Sequence, residues 1–228
     1  MAKKVLAFDV YGTILDTSSI SSSLQTWAGL DEPFAKQMSA LWRRYQLEYT
    51  WRLNSMEIYE PFDQITRRSL RHAASEMDVT LEEEAISALM EAYTHLPSFA
   101  DATKTITALA NDPNIQIVIF SNGTEKMIHS ALASSSLLPS LTNFYLADSI
   151  KRYKPSPAIY KGLLEFVGKT DSPGDVWLVS GNPFDITGAS TSNLSTIWVN
   201  RAQNPWVDKC LGEDFRPTKI VQSLDGIL

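Results

Sequence analysis

Five short apolar runs, each bounded by polar or turn-forming residues, constrain the fold of this chain most strongly: Val5 to Phe8, Ile115 to Phe120, Phe144 to Ala147, Val176 to Val179 and Thr196 to Val199. Runs this short, and without polar alternation, read as strands covered on both faces. Between the later ones lie helical patterns at Glu125 to Ser134, Pro157 to Val167 and Asp185 to Ser192. Alternating strand and helix predicts an α/β fold, a Rossmann-like parallel sheet with crossovers on its faces.

The segment from about Thr17 to Leu96 breaks that alternation and contains no convincing strand. Pro33 to Asn54 predicts one long helix, with Phe34, Met38, Leu41, Trp42, Tyr45 and Tyr49 recurring at steps of three and four. Tyr59 to Met77 and Leu81 to Tyr93 predict two more. Pro33 and Pro61 sit near helix starts, where proline is tolerated, and Pro97 marks the exit. The expected organisation is a core of residues 1–17 and 98–228 interrupted by an all-helical cap domain over 18–97. Two serine clusters, Ser18 to Ser23 and Ser134 to Ser136, are expected in helix-capping or loop positions.

A length of 228 residues suits such a core with an insertion, and six Trp, nine Phe and eight Tyr supply an apolar interior and pocket. The formal net charge of -6 lacks the basic footprint of a nucleic-acid partner. One cysteine, Cys210, cannot form an internal disulfide and is expected to be a buried or inert thiol. The apolar run after Met1-Ala2-Lys3-Lys4 is too short for a secretory leader, and no stretch approaches membrane-spanning length. Neither a membrane nor a nucleic-acid partner is expected, and the cytoplasm is the expected compartment. Trp27, Trp177 and Trp198 are expected in the core. His72, His95 and His129 have no spacing that suggests a metal site or a catalytic triad.

Ligands of open parallel sheets bind beyond the carboxyl ends of the strands, and an insertion after the first strand would cover that end as a lid. Asp9-Val10-Tyr11-Gly12-Thr13 follows the first strand, Ser121-Asn122-Gly123 the second and Ser180-Gly181-Asn182-Pro183-Phe184-Asp185 the fourth, while Lys154-Pro155 precedes a helix. Each alone has a structural explanation: a turn-forming Asp, a Ser-Asn-Gly turn, a solvated Lys-Pro loop, an acidic helix start. Together they can bring a carboxylate, a hydroxyl, an ammonium and a second carboxylate to one site.

In that order the four segments resemble the motifs of the haloacid dehalogenase superfamily, Asp-nucleophile hydrolases with a Rossmann-like core and an inserted cap. The resemblance runs from about Val5 to Arg201. Most members are phosphatases whose first motif has a second Asp two residues after the nucleophile. That position is Tyr11 here, which cannot do the same proton work near neutral pH. The phosphatases also hold Mg²⁺ with an acidic pair in the fourth motif. With Asp185 as its second member, the first falls at Gly181, or at Asn182 or Ser180 when the alignment shifts by one. None of these is acidic, although Mg²⁺ favours carboxylate oxygens. A phosphate monoester is close to a dianion and needs a shielding cation before an Asp nucleophile. A 2-haloacid is a monoanion that Lys and Arg can screen, so neither a metal nor another cofactor is expected.

The stretch Leu41-Trp42-Arg43-Arg44-Tyr45-Gln46-Leu47-Glu48-Tyr49-Thr50-Trp51 is similar to the cap helix of the type II, L-2-haloacid dehalogenases. In that family the Arg directly after the Trp, here Arg43, reaches into the pocket beside the halogen. Arg44 reads as an exposed basic residue. The resemblance implies that Asp9 is the nucleophile, that Thr13 orients it and that Lys154 neutralises the two carboxylates. It implies that Tyr160 supports the Lys and the Arg, and that Ser180, Asn182 and Asp185 orient Lys154 and position water. Ser121, with the Asn122 backbone, would hold the substrate carboxylate. Tyr11, Leu47, Phe62 and Phe184 would wall the substrate's alkyl and halogen groups. This sequence departs from the family at Arg44 (usually Gln), Gly181 (commonly Ser) and Pro183-Phe184 (commonly Ala-Trp).

The activity so implied is hydrolytic dehalogenation of short (S)-2-haloacids to (R)-2-hydroxyacids through an aspartyl ester, in a homodimer. Two alternatives stay open: an atypical phosphatase of the same superfamily, and a non-catalytic carboxylate-binding protein.

Overall fold

A computed structural model describes residues 3–135, 137, 139 and 141–228. Strand β1 (Lys4–Phe8) lies inside a sheet with β2 (Ile115–Ser121), β3 (Phe144–Leu146), β4 (Val176–Ser180), β5 (Ser195–Val199) and β6 (Lys219–Val221). The order is β3-β2-β1-β4-β5-β6, and every neighbouring pair is parallel. Val5 to Phe8 are all buried because helices cover both faces of this central strand, which is why the run is apolar without alternation. The chain winds outward from β1 through β2 to β3 and then from β4 to β6. The crevice at the carboxyl ends of β1 and β4 is thus the topological switch point, where open α/β sheets bind ligands.

Four helices follow β1: α1 (Ile20–Ala28), α2 (Glu32–Ser55), α3 (Phe62–Glu76) and α4 (Glu83–Thr94). The Asp31 side chain caps α2 by accepting from the Phe34 N–H at 2.9 Å. Helix α3 starts at Phe62 and not at Tyr59, because Pro61 disfavours helical backbone at the residue before it. The buried face of α2 carries Ala35, Met38, Trp42, Tyr45 and Gln46. Phe34, expected on that face, stands in the first turn at the rim and is exposed.

The chain leaves the sheet region and returns to it side by side. Asp16 N–H donates to the Pro97 carbonyl and Phe99 N–H to the Ile14 carbonyl, each at 2.9 Å. Helix α5 (Ala102–Ala110) leads into β2, and α6 (Glu125–Ser134), α7 (Ala147–Ile150), α8 (Pro157–Phe166) and α9 (Pro183–Ser190) complete the crossovers. The molecule is an α/β fold with a parallel sheet and a helical unit inserted after the first strand.

Several expectations need correction. Ala147 opens α7 and does not end β3. Ser21 to Ser23 lie inside α1, where Ile20 and Leu24 supply the buried anchors. Ser134 ends α6 and Ser135 caps it, whereas Ser136 lies outside the described residues. Trp27 is 47% exposed at the end of α1 and does not belong to the core, whereas Trp198 does. Cys210 is exposed. Strand β6 and helix α5 have no counterpart among the sequence runs. A three-residue edge strand bearing a lysine and an exposed Ile220 is too short to show a pattern. Among the described residues no helix is long and apolar enough to cross a membrane.

Candidate active site

Asp9 is the first residue past β1, and its N–H still donates to the Val179 carbonyl of β4 at 3.0 Å. The chain then turns sharply, with Ile14 and Leu15 N–H both returning to the Val10 carbonyl. Gly12 has φ +84, a left-handed conformation that favours glycine at this position. The turn brings Thr13 back to Asp9. Thr13 Oγ1 donates to Asp9 Oδ2 at 2.6 Å and accepts the Gly181 N–H at 2.8 Å.

Two further segments reach this carboxylate. Asn182, at the start of α9, donates from Nδ2 to Asp9 Oδ2 at 2.8 Å and to the Tyr11 carbonyl at 2.9 Å. Lys154 lies between α7 and α8, 1% exposed, with Nζ bonded to Asp9 Oδ1 (3.1 Å), Asp185 Oδ2 (2.7 Å) and the Phe120 carbonyl (2.8 Å). All three ammonium protons are thereby used, as burial of a charge requires. Tyr160 Oη donates to Asp185 Oδ1 at 2.7 Å. Burial raises the Asp185 carboxyl above the ordinary aspartate range; Lys154 opposes this and Asp9 adds to it. Burial, reinforced by Asp185, also holds the Tyr160 phenol protonated.

Ser121 and Asn122, at the end of β2, are both buried. Ser121 Oγ accepts the Gly123 N–H at 3.1 Å, leaving its own proton for another acceptor. Asn122 Oδ1 accepts the Lys154 backbone N–H at 2.9 Å and so fixes the lysine from a second side. From α2, Arg43 reaches over the sheet end and donates to the Tyr11 carbonyl at 3.3 Å. Tyr11 is packed between Phe62 and Tyr93, with ring centroids 5.8 and 5.6 Å away. Its buried hydroxyl has no hydrogen-bond partner among the described residues. Burial, with Tyr93 adding to it, raises that phenol far above its ordinary pKa.

Asp9, Thr13, Lys154, Asp185, Tyr160, Asn182, Ser121 and Asn122 thus come together, with Arg43, Tyr11 and Phe62 above them. Leu47 is half-buried one turn along α2 from Arg43. Phe184 is half-buried and meets Trp51 of α2 edge-on at 5.5 Å. Three side chains that the resemblance linked to Lys154 bond other partners directly. Ser180 Oγ accepts the Asn182 N–H at 3.1 Å and bonds that residue, not Lys154. Asn182 bonds Asp9, not Lys154. Tyr160 reaches the lysine only through Asp185 and makes no bond to Arg43. Arg44 is exposed and pairs with Glu76 at 3.7 Å.

Sequence reasoning missed Gln46, Tyr93 and Trp51. Gln46 is fully buried and accepts from Arg43 Nη1 (2.5 Å) and Tyr93 Oη (2.9 Å), while its Nε2 donates to Thr66 (2.7 Å). The available signal was a polar residue one turn after Trp42 on a buried helix face, because buried amides have partners. Tyr93 sits 82 residues after Tyr11 in the chain, and no local pattern joins them.

Asp9 and Asp185 both bond the one Lys154 ammonium. Among the described residues no group of three or more His, Cys, Asp or Glu could hold a metal ion. Gly181 offers no side chain, and a Cβ there would lie 2.4 Å from the Gly12 carbonyl oxygen. The turn after Asp9 thus lies directly against this glycine.

The family model for haloacid dehalogenase-like hydrolases matches residues 3–193. The chain is 34% identical over 202 residues to (S)-2-haloacid dehalogenase 4A of Burkholderia cepacia, covering 89% of this chain and 85% of that protein. A crystal structure of a dehalogenase with an intermediate complex superposes with a TM-score of 0.88 at 32% identity, covering 99% of this chain and 96% of that one. The L-2-haloacid dehalogenase of Xanthobacter autotrophicus with chloropropionic acid covalently bound superposes with a TM-score of 0.83 at 25% identity, covering 99% and 96%. With Asp9 held at the head of a parallel sheet by Thr13, Asn182 and Lys154, and with this match over most of its length, the chain belongs to the haloacid dehalogenase-like hydrolases.

Proposed function

We propose that this protein hydrolyses short (S)-2-haloacids to (R)-2-hydroxyacids, with Asp9 as nucleophile. The observation that carries the reading is the buried Asp9–Lys154–Asp185 cluster, with Tyr11 where a phosphatase needs an acid. An ammonium bonded to the nucleophile lets a monoanionic substrate approach it.

The substrate carboxylate binds at Ser121 and the Asn122 backbone. Asp9 attacks the halogen-bearing carbon from the face opposite the halogen. The carbon–halogen bond breaks, halide leaves toward Arg43, and the carbon inverts as the ester forms. Tyr11, Leu47, Phe62 and Phe184 exclude water around that carbon. Water beside Asn182 then adds to the Asp9 carboxyl carbon. Its proton passes to Asp185, which burial makes more basic. The ester C–O bond breaks, the leaving alkoxide takes the proton held by Asp185 and departs as the hydroxyacid, and the remaining water proton is lost to solvent, restoring the Asp9 carboxylate. Thr13 and Asn182 keep the carboxylate oriented through both steps.

The paired crossings at Asp16–Pro97 and Ile14–Phe99 support a division into a core of 1–17 and 98–228 and a helical cap of 18–97. A cytoplasmic homodimer is part of the same reading.

The test is halide release from L-2-chloropropionate with EDTA present, beside Asp9→Asn. Wild type is expected to release halide and yield D-lactate, and the variant to release none. In heavy-oxygen water, the product of a first single turnover is expected to be unlabelled, because its new oxygen comes from Asp9. Label in that product rules out the ester. Mg²⁺-dependent phosphate release from an aryl phosphate, without dehalogenation, returns the assignment to a phosphatase.

A further inference from the structure

Besides Arg43 over Tyr11, the helical segment touches the core at the end of α2 and the connection between α2 and α3, in contacts close to Lys154. Asn54, in the last turn of α2, clamps the backbone of Tyr153. Its Nδ2 donates to the Tyr153 carbonyl at 2.7 Å and its Oδ1 accepts the Tyr153 N–H at 3.0 Å. One side-chain amide therefore satisfies both backbone groups of a residue 99 positions away. Tyr153 is fully buried, donates from its hydroxyl to the Glu60 carbonyl, and stacks on Tyr59 with centroids 5.2 Å apart. Tyr59 in turn donates to Asp148 of α7 at 2.7 Å. The next residue after Tyr153 is Lys154, whose N–H is held by Asn122 and whose ammonium is bonded to Asp9.

We propose that Asn54 is a positioning residue, coupling the seating of the helical segment to the placement of Lys154 through the Tyr153 backbone. The proposal rests on the dehalogenase reading for its effect on rate. Arg43 and Asn54 lie on the same helix. When that helix seats, Arg43 arrives over Tyr11 and Asn54 arrives at Tyr153 in one motion. The site then has its halide acceptor and its correctly placed ammonium together. With the helix unseated, the Tyr153 N–H loses its acceptor, the Tyr153 carbonyl keeps only the Ser156 N–H at 2.9 Å, and the backbone beside Lys154 loses one of its two side-chain clamps. Asn54 touches neither Asp9 nor the substrate-binding residues, so it acts only through others.

The test compares Asn54→Ala and Tyr153→Phe with wild type in kcat and KM for L-2-chloropropionate, and in residue-resolved amide hydrogen exchange. Asn54→Ala is expected to lower kcat by about tenfold to a hundredfold with KM near wild type, the scale on which small misplacements of catalytic groups act. Tyr153→Phe is expected to give a smaller loss of the same kind. The Tyr153 amide loses its acceptor in Asn54→Ala and exchanges faster. The Lys154 amide, bonded to Asn122, is also expected to exchange faster, which mere loss of the Asn54 contact does not require. Wild-type kcat, or an unchanged Lys154 amide, overturns the proposal. So does a rise in exchange spread evenly over the chain, which marks general destabilisation. If wild type itself releases no halide, the dehalogenase reading fails, and the two amides still decide whether Asn54 positions Lys154.

Discussion

Lys154 serves two carboxylates at once, and the energetics of the site follow from that sharing. Burying Asp185 without an opposite charge would neutralise it, and the lysine keeps it available as an anion. Its raised pKa has a definite sign for activity. A group that must be ionised to take a proton from water stops working when pH falls through its folded pKa. The acid limb of kcat is therefore expected above the ordinary aspartate value of about 3.9, as read from a pH profile of halide release. An acid limb below that value contradicts the role given to Asp185. For stability the sign is the reverse. Because the folded pKa lies above the unfolded one, this group's contribution is present at low pH and is lost as pH rises through the folded value. Tyr11 makes the other residue-scale prediction. Its unpartnered hydroxyl is a desolvated donor, so Tyr11→Phe is expected to leave the empty protein as stable or to stabilise it by up to about 1–3 kcal/mol, measured by urea unfolding.

Among the elements, the turn after β1 and the start of α9 are built against each other. Gly181 allows its backbone to lie against the Gly12 carbonyl and to donate to Thr13 Oγ1. Gly181→Ala puts a Cβ where a backbone oxygen already sits, and no flexible side chain is there to yield. A stability loss of about 1–3 kcal/mol is expected, with reduced halide release because Thr13 and Asn182 both shift relative to Asp9. Urea midpoints and initial rates measured on the same preparation check both effects, and unchanged values for both mean the turn relaxes freely. On α2 the apolar stripe also carries Gln46, which ties Arg43 to Tyr93 and Thr66. The helix thus presents its arginine from a fixed base instead of a solvated tip.

Across the whole molecule, Arg201 joins segments far apart in sequence. Its guanidinium makes a bidentate pair with Asp101 at 2.9 and 3.1 Å, donates to the Thr13 carbonyl at 2.9 Å, and lies 3.8 Å over the Phe99 ring. Asp101 also accepts the Leu224 N–H at 2.8 Å. The end of β5, the return crossing and the turn after Asp9 are thereby held in one network. Arg201→Ala is expected to lower stability by about 2 kcal/mol, or Tm by about 4–8 °C at this chain length. A thermal scan checks this, and a Tm within a degree of wild type assigns the network no weight.

The apolar runs, the proline-marked helices and the strand-end motifs were legible in sequence because each depends on local periodicity or on an adjacent turn. They identified the parallel sheet, the inserted helices and the convergence of Asp9, Ser121, Lys154 and Asp185. Strand β6 was not legible because an edge strand of three residues has no period to show. Trp27 was misplaced because an aromatic residue by itself does not reveal which face of a helix is covered. Gln46, Tyr93 and Asn54 stayed hidden because their roles exist only between segments 20 to 99 residues apart. The sequence by itself determined which chemical groups stand at the strand ends. The tertiary structure alone decided which of them share an ammonium, which hydroxyl lacks a partner and how the helical segment meets the lysine, since hydrogen bonds and packing act through space and carry no mark along the chain.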